Sequence, residues 1–465
     1  MTATYDAIII GTGQAGPFLA HRLTSAGMRV AIIERGAFGG TCVNTGCIPT
    51  KALVASAYAA HMVRRASDFG VNVGPAAVDM KRVKARKDAI AGQSRIGVET
   101  WLETMERCTV YRAHARFESR HAVSLDADRL TAERIFINVG GRAAVPRLPG
   151  LEQIEYLTNS SMMQLDFVPR HLIVVGGSYV GLEFGQMLRR FGSEVTIIEM
   201  AERLIHREDD DVSATVQDIL EREGVVVRLN ATCIGFAKRG GDIVAHVDCA
   251  QGAREVTGTH VLLAVGRRPN TDDLGLDEAG VATDERGYIV VDDQLRTGVP
   301  GIWALGDCNG RGAFTHTAFN DAEIVAANLL DDDPRRVSDR ILTYGLFIDP
   351  PLGRAGLTDA EVRKSGRPAL VGKRPMERVK RAVEKGETQG FMKIVVDAET
   401  RAILGAAILG TGGDEVIHSI LDVMYAKAPY TTIQRAMHIH PTVSELIPTM
   451  LDDLRPLAAA TTPGG

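Results

Sequence analysis

Two glycine-rich turns, each set between an apolar strand and a helix-forming stretch, constrain this 465-residue chain more than any other feature. The first is Ala7-Ile8-Ile9-Ile10-Gly11-Thr12-Gly13-Gln14-Ala15-Gly16, with a second apolar run, Val30-Ala31-Ile32-Ile33-Glu34, beyond its helix. The second is His171-Leu172-Ile173-Val174-Val175-Gly176-Gly177-Ser178-Tyr179-Val180-Gly181, answered by Val195-Thr196-Ile197-Ile198-Glu199. In both copies the carboxylate closes the second strand at the same interval after the first glycine. This is the dinucleotide-binding pattern. Glycines allow the tight turn and close pyrophosphate approach, the helix N-terminus favours phosphate charge, and the carboxylate meets a ribose hydroxyl. One such unit is weak evidence, but two complete units predict an α/β chain with two Rossmann-like domains. Ser178 stands where the second unit would carry its middle glycine, and serine still permits fairly close backbone approach.

Turn chemistry divides the rest. Ile135-Phe136-Ile137-Asn138-Val139-Gly140 reads as a buried strand ending in a glycine turn, and Pro146 and Pro149 then mark a crossover. Val261 to Gly266, followed by Pro269, repeats that arrangement beyond the second unit, and Gly301 to Asp307 is a third strand with a glycine-acid end. Asp331-Asp332-Asp333-Pro334 reads as a linker. The expected boundaries are a first dinucleotide domain at 1–147, a second at 148–269, a return to the first at 270–336, and an α+β domain at 337–465. Within the last, strands are expected over 390–396 and 402–409, a helix over 415–426, and a frayed tail from Ala458.

A charged fraction of 24% against 45% hydrophobic residues excludes a disordered chain, and a net charge of −5 argues against a nucleic-acid or anionic-membrane footprint. The polar start runs straight into a strand, and no apolar run approaches the ~18 residues of a membrane span, so a cytoplasmic protein is expected. Six cysteines are too few for a disulfide-stapled secreted fold. Cys108, Cys233, Cys249 and Cys308 are scattered, whereas Cys42 and Cys47 stand close together.

That pair lies in Gly39-Gly40-Thr41-Cys42-Val43-Asn44-Thr45-Gly46-Cys47-Ile48-Pro49-Thr50-Lys51. Residues five apart in an unbroken helix are rotated by about 140° and cannot form a bridge. A bridge therefore needs a loop, which Asn44-Thr45-Gly46 supplies, while Pro49 suits the first turn of a helix running to Ala60. Cys47 would then sit at a helix N-terminus, where the dipole favours its thiolate. The plainer alternative is two inert buried thiols; the position beside a dinucleotide unit argues against it.

With these motifs in place the chain resembles the class I pyridine nucleotide-disulfide oxidoreductases, FAD flavoproteins that include dihydrolipoamide dehydrogenase, glutathione reductase and mercuric reductase. Residues 39–51 resemble the redox-disulfide signature, 301–307 the second FAD motif, 176–199 the NAD(P) motif, and 438–445 the carboxyl-terminal dimer motif. The resemblance implies an FAD domain split by an inserted NAD(P) domain, followed by a dimerisation domain. Gly11, Gly13 and Gly16 would hold the FAD pyrophosphate, Glu34 the adenosine ribose and Asp307 the ribityl-phosphate side, with Gly40, Thr41 and Gly140 also lining FAD. Gly176, Gly181, Glu199 and Gly266 would serve NAD(P)H. Cys47 matches the flavin-facing cysteine and Cys42 the outer cysteine that meets substrate. Lys51 matches the lysine near the flavin, paired with Glu183, and His316 is placed beside the isoalloxazine or in a packing role. His440 and Glu445 resemble the acid–base pair that a partner subunit contributes, and thiol-disulfide exchange needs such a proton donor and acceptor. His440-Pro441 is a candidate cis bond. A His438-x-His440 metal site is weighed and set aside, so no resident metal is expected.

Glu199 favours NADH because a carboxylate repels a 2′-phosphate, although Arg203 and Arg207 nearby leave NADPH possible. The implied activity is FAD-dependent, NAD(P)H-driven reduction of a small disulfide or a soft metal ion by a homodimer with a shared active site, without nucleic acid or membrane partners. Residues 51–71 and the short loop 34–39 resemble mercuric reductases and their relatives, and residues 344–351 resemble the same group and also the reductases of the copper and reactive-chlorine response. Residues 456–465 lack the cysteine pair with which mercuric reductases hand over Hg(II). Dihydrolipoamide dehydrogenase is the main alternative, but Thr315-His316-Thr317-Ala318 departs from its Ala-His-Lys-Ala run. A slow FAD-binding redox-sensor dimer is the alternative of another class.

Overall fold

The computed structural model describes residues 2–126, 128–248 and 254–458; Cys249 and the tail from residue 459 lie outside the described residues. Strand β1 (Thr2–Ile10) ends in the continuous apolar run that a strand covered on both faces requires. It pairs in parallel with β2 (Val30–Glu34) and with the strand Asp128–Ile137, while helix α1 (Ala15–Ser25) packs Leu19, Ala20 and Leu23 into the core beneath. The strand Cys108–Arg112 extends this sheet past β2, and two antiparallel strands, 115–119 and 122–125, extend the other end.

The second glycine unit builds its own sheet. Four parallel strands run in the order Val226–Arg228, Glu194–Ile198, His171–Val175, His260–Leu263, with the three-stranded antiparallel sheet 232–258 beside them. Gly141–Ala143 on the way in and Arg267–Pro269 on the way out pair antiparallel. The chain then returns to the first sheet, where Ile302–Ala304 lies parallel to Ile135–Ile137. The strand expected through Gly266 stops at Leu263, and the one expected from Ile135 begins at Asp128.

The C-terminal sheet has six antiparallel strands, in the order 343–346, 352–356, 403–409, 391–397, 369–375, 455–456. Helix Gly413–Tyr425 lays Ile417, Ile420 and Leu421 against it. A buried charge cluster ties this sheet to the second unit. Arg354 meets Glu208 and, at 2.8 Å, Asp209; Lys393 Nζ lies 2.9 Å from Asp209, 2.8 Å from Asp211 and 3.0 Å from Asp359. Removing one partner would strand a buried charge at a cost of about 3–5 kcal/mol, so the cluster fixes the relative placement of the two sheets.

Candidate active site

Both glycine turns are closed by contacts that admit no side chain. A Cβ on Gly16 would lie 2.4 Å from the Gly11 carbonyl oxygen, and one on Gly181 would lie 2.0 Å from that of Gly176. Each helix therefore starts directly against its turn, with its first N–H groups available to an anion. Asn138 Nδ2 donates to the carbonyls of Gly11 (3.2 Å) and Gly13 (3.1 Å), which fixes the first turn. Glu34 accepts from Thr12 N–H (3.0 Å), Thr12 Oγ1 (2.6 Å) and Gly36 N–H (2.8 Å). Glu199 is held the same way, by Gly177 N–H and by Ala201 N–H at 2.8 Å. Arg203 forms ion pairs with Asp210 and Glu202, so its charge is already answered.

The cysteine loop is more ordered than its sequence suggests. Gly40–Asn44 forms a short helix, α2, and α3 (Cys47–Arg64) starts at Cys47 itself. Between them the chain breaks because Asn44 Nδ2 donates to the carbonyls of Phe38 (2.8 Å) and Gly40 (2.9 Å), while Asn159 Nδ2 donates to that of Thr45 (3.0 Å). A Cβ on Gly46 would lie 2.9 Å from the Thr41 carbonyl oxygen, so glycine lets the break fold back on α2. Cys42 and Cys47 are thereby brought into hydrogen-bond contact. Their acidities diverge. The bond from Cys42 lowers Cys47 to about 6 against the opposing effect of burial, with help from Thr315 and the Lys51 charge. Cys42, which donates that bond and is itself half-buried, moves well above an ordinary thiol. At neutral pH Cys47 is the thiolate and Cys42 keeps its proton.

Around the pair, Lys51 Nζ lies 2.9 Å from Glu183 Oε2, and Glu183 Oε1 accepts from Phe347 N–H at 3.0 Å. Thr315 Oγ1 lies 3.2 Å from Cys47 Sγ. Sequence reasoning did not single out Thr315; its signal is a hydroxyl at the first position of the helix Thr315–Ala326, next to His316. His316 stacks on Phe314 (5.4 Å between centroids) and its Nε2–H is taken by the Thr343 carbonyl at 2.8 Å, with desolvation lowering its pKa. Asp307 faces Arg267 at 3.3 Å, and burial raises its carboxyl pKa. Gly140 and Gly266 both take positive φ with open space where a Cβ would lie.

His440 and Glu445 form a pair of their own: Nδ1 lies 2.9 Å from Oε2. The His440 side chain is 75% exposed, and the His440-Pro441 bond is cis. His438 turns its Nδ1 to the Ala436 carbonyl at 3.1 Å.

Two dinucleotide turns, a dithiol at a helix start and a separate acid–base pair together define a disulfide reductase driven by a pyridine nucleotide. Comparison with known proteins agrees. The model of the pyridine nucleotide-disulphide oxidoreductase family matches residues 5–322, and that of the family's dimerisation domain matches residues 343–451. The chain is 36% identical to the probable pyridine nucleotide-disulfide oxidoreductase RclA of Escherichia coli, over 95% of this chain and 97% of that protein. It is 34% identical to a mercuric reductase of Streptomyces lividans, over 95% and 94%. A solved structure of E. coli RclA, a HOCl-induced flavoprotein disulfide reductase in its Cu(II) complex, superposes with a TM-score of 0.88 at 34% identity, covering 97% of this chain and 99% of that one. The chain belongs to the pyridine nucleotide-disulphide oxidoreductase family. It is an NAD(P)H-dependent flavoprotein reductase of the disulfide- and metal-ion-reducing kind, with FAD and NAD(P)H as its cofactors. The side-chain-free turn at Gly11 to Gly16, with the anchored Glu34 at its rim, fits the FAD pyrophosphate and ribose. No helix among the described residues is long and apolar enough to cross a membrane.

Proposed function

We propose that this chain reduces a small disulfide with NADH, through Cys42 and Cys47 of one subunit and His440 and Glu445 of its partner. The observation that carries the reading is the placement of the groups: Cys47 opens α3 with Thr315 Oγ1 3.2 Å from its sulfur, and an exposed His440 is backed by Glu445 at 2.9 Å. A thiolate at Cys47 suits the flavin-facing role, whereas a Cys42 that keeps its proton needs a base before it attacks. The ordered but exposed His440–Glu445 pair supplies that base if it is presented by a second subunit.

Bound FAD supplies the two-electron relay between NADH and the cysteine pair. Gly11, Gly13 and Gly16 with Gly40, Thr41, Gly140 and Asp307 hold it, and the second turn with Glu199 and Gly266 holds NADH. His440 takes the Cys42 proton, and Cys42 sulfur attacks the substrate disulfide. A mixed disulfide forms, and the first product thiolate leaves with the proton from His440. Cys47 then attacks Cys42 sulfur, the second thiol departs after taking a proton, and the Cys42–Cys47 bridge is restored. The sum is NADH plus one proton plus one disulfide giving NAD⁺ and two thiols. Glu445 orients the His440 ring through Nδ1, leaving Nε2 for the sulfur. The anchored Glu199 and the ion-paired Arg203 support NADH over NADPH.

Cu(II) or Hg(II) reduction is the second reading. The similar RclA structure carries Cu(II), and soft thiolate ligands suit such ions. Thr317, where dihydrolipoamide dehydrogenases carry lysine, weighs against lipoamide as substrate. An anaerobic panel of lipoamide, oxidised glutathione and other small disulfides, Cu(II), Hg(II) and quinones, each with NADH and NADPH, tests the choice. Disulfide turnover lost in His440→Ala while an artificial acceptor is still reduced supports the proposal. Metal turnover indifferent to His440, with no disulfide reduced, overturns it in favour of the second reading.

A further inference from the structure

We propose that Phe347 positions the Lys51 ammonium, so that the C-terminal domain takes part in setting the charge that faces Cys47. The inference deepens the proposed function and rests on the Cys47 thiolate assigned there. Lys51 stands one turn along α3 from Cys47, and two elements from elsewhere in the chain close on it. Glu183, from the second dinucleotide unit, pairs with it at 2.9 Å. Phe347, just past the C-terminal strand Thr343–Leu346, places its ring face under Lys51 Nζ, 4.3 Å from the centroid. The same residue's backbone N–H donates to the other Glu183 oxygen at 3.0 Å. Phe347 therefore touches both members of the ion pair, one through its ring and one through its backbone.

The ring lies over Gly345. A Cβ at Gly345 would lie 3.2 Å from Phe347 Cε2 and 3.3 Å from Cζ, so a side chain there would crowd the ring from behind. An aromatic face attracts a cation electrostatically, and the attraction grows where water is partly excluded. Lys51 is only about one-third exposed, with 32% of its side-chain surface open. Without the ring, Glu183 alone would hold the ammonium, which would be free to swing toward water. Its field at Cys47 would then weaken, and the thiolate would become less favoured. One residue thus connects the C-terminal fold to the reactive sulfur without touching it.

The test is site-resolved alkylation of Cys47 by iodoacetamide in the reduced holoenzyme across pH 4 to 9, read by peptide mass spectrometry alongside the long-wavelength charge-transfer absorbance expected of a thiolate facing the flavin. Phe347→Leu is expected to raise the Cys47 midpoint by about half a pH unit, whereas Phe347→Tyr, which keeps the ring face, titrates with the parent. With Lys51→Met in place, Phe347→Leu should add no further shift. An unmoved midpoint in Phe347→Leu overturns the inference, as does an equal shift with Lys51 or Lys51→Met. Should Phe347→Leu fail to fold, ring fluorination at Phe347 keeps shape while removing the negative face, and it must produce the same rise. A parent enzyme with no Cys47 thiolate near neutral pH would sink the proposed function itself, an outcome distinct from a normal thiolate that ignores Phe347.

Discussion

Cys47 and His440 carry the two halves of the proposed chemistry, and the molecule treats them in opposite ways. Cys47 is met within one chain by Cys42 and Thr315 and faces the Lys51 charge, which Glu183 and Phe347 hold in turn. His440 has Glu445 behind it, but 75% of its side chain faces solvent, beside Met437 at 100% and Ile439 at 79% exposure. Apolar side chains left that open, on a segment matched by a dimerisation domain, suit a surface that a second copy covers. On the proposed reading, electron transfer is prepared by folding, whereas proton transfer waits for assembly.

The largest effect tests the folded half. Cys47→Ser should lower disulfide turnover ~1000-fold and abolish the long-wavelength band, while FAD stays bound and an artificial acceptor is still reduced. If disulfide turnover survives, electrons do not pass through this sulfur. The assembly half is tested next. His440→Ala should slow disulfide reduction about 100-fold and leave the artificial acceptor untouched. Mixing that variant with Cys47→Ser sharpens the comparison, because a hybrid dimer regains one complete site. With free subunit exchange, about a quarter of parent activity should return. Recovery that fails in demonstrably mixed dimers would place His440 in the same subunit as its cysteines.

The same contrast explains what could be read before any coordinates. The glycine turns, Glu34, Glu199 and the cysteine loop are local: each is a short run whose spacing states its geometry, and the turns closed as their glycines require. The two glycine crossovers were legible too, since Pro149 and Pro269 punctuate both. Thr315 and Phe347 were not. Each reaches the centre from far along the chain, and neither belongs to a spaced motif that announces a partner. The charge cluster of Arg354 and Lys393 was equally silent, because one buried cation in an apolar strand looks like any other until its carboxylates arrive from another domain. The α2 helix escaped notice for a further reason. Five residues carry too little periodicity to signal a helix, and its end is set by Asn44 bonding back to Phe38 and Gly40.

Coenzyme choice separates the two dinucleotide turns in the same manner. Glu34 and Glu199 are anchored alike, yet on the proposed reading only the second selects between coenzymes that differ by a phosphate. Glu199→Ala should lower the NADH-to-NADPH ratio of kcat/KM about tenfold by removing the repelled charge. Asp210→Asn, which frees Arg203 from one of its partners, should add to that shift. A ratio that ignores both changes would mean that selection lies elsewhere on the coenzyme.

A smaller effect than these probes the folded half more finely. Thr315→Val removes the hydroxyl 3.2 Å from Cys47 and keeps its shape, so the thiolate loses one of the donors that hold its pKa near 6. The midpoint of Cys47 alkylation should rise by about one pH unit, since a hydrogen bond to a charged group is lost at a site only partly closed to water. The sign follows from the acid: above its pKa the sulfur is anionic, so raising the pKa depletes thiolate at pH 6.5 and leaves pH 8.5 nearly unchanged. Thr315→Ser should titrate with the parent. A Thr315→Val loss of rate that is the same at every pH and extends to the artificial acceptor, with the alkylation midpoint unmoved, would instead mark a disturbed helix start, and the contrast between a prepared sulfur and a waiting histidine would lose one of its supports.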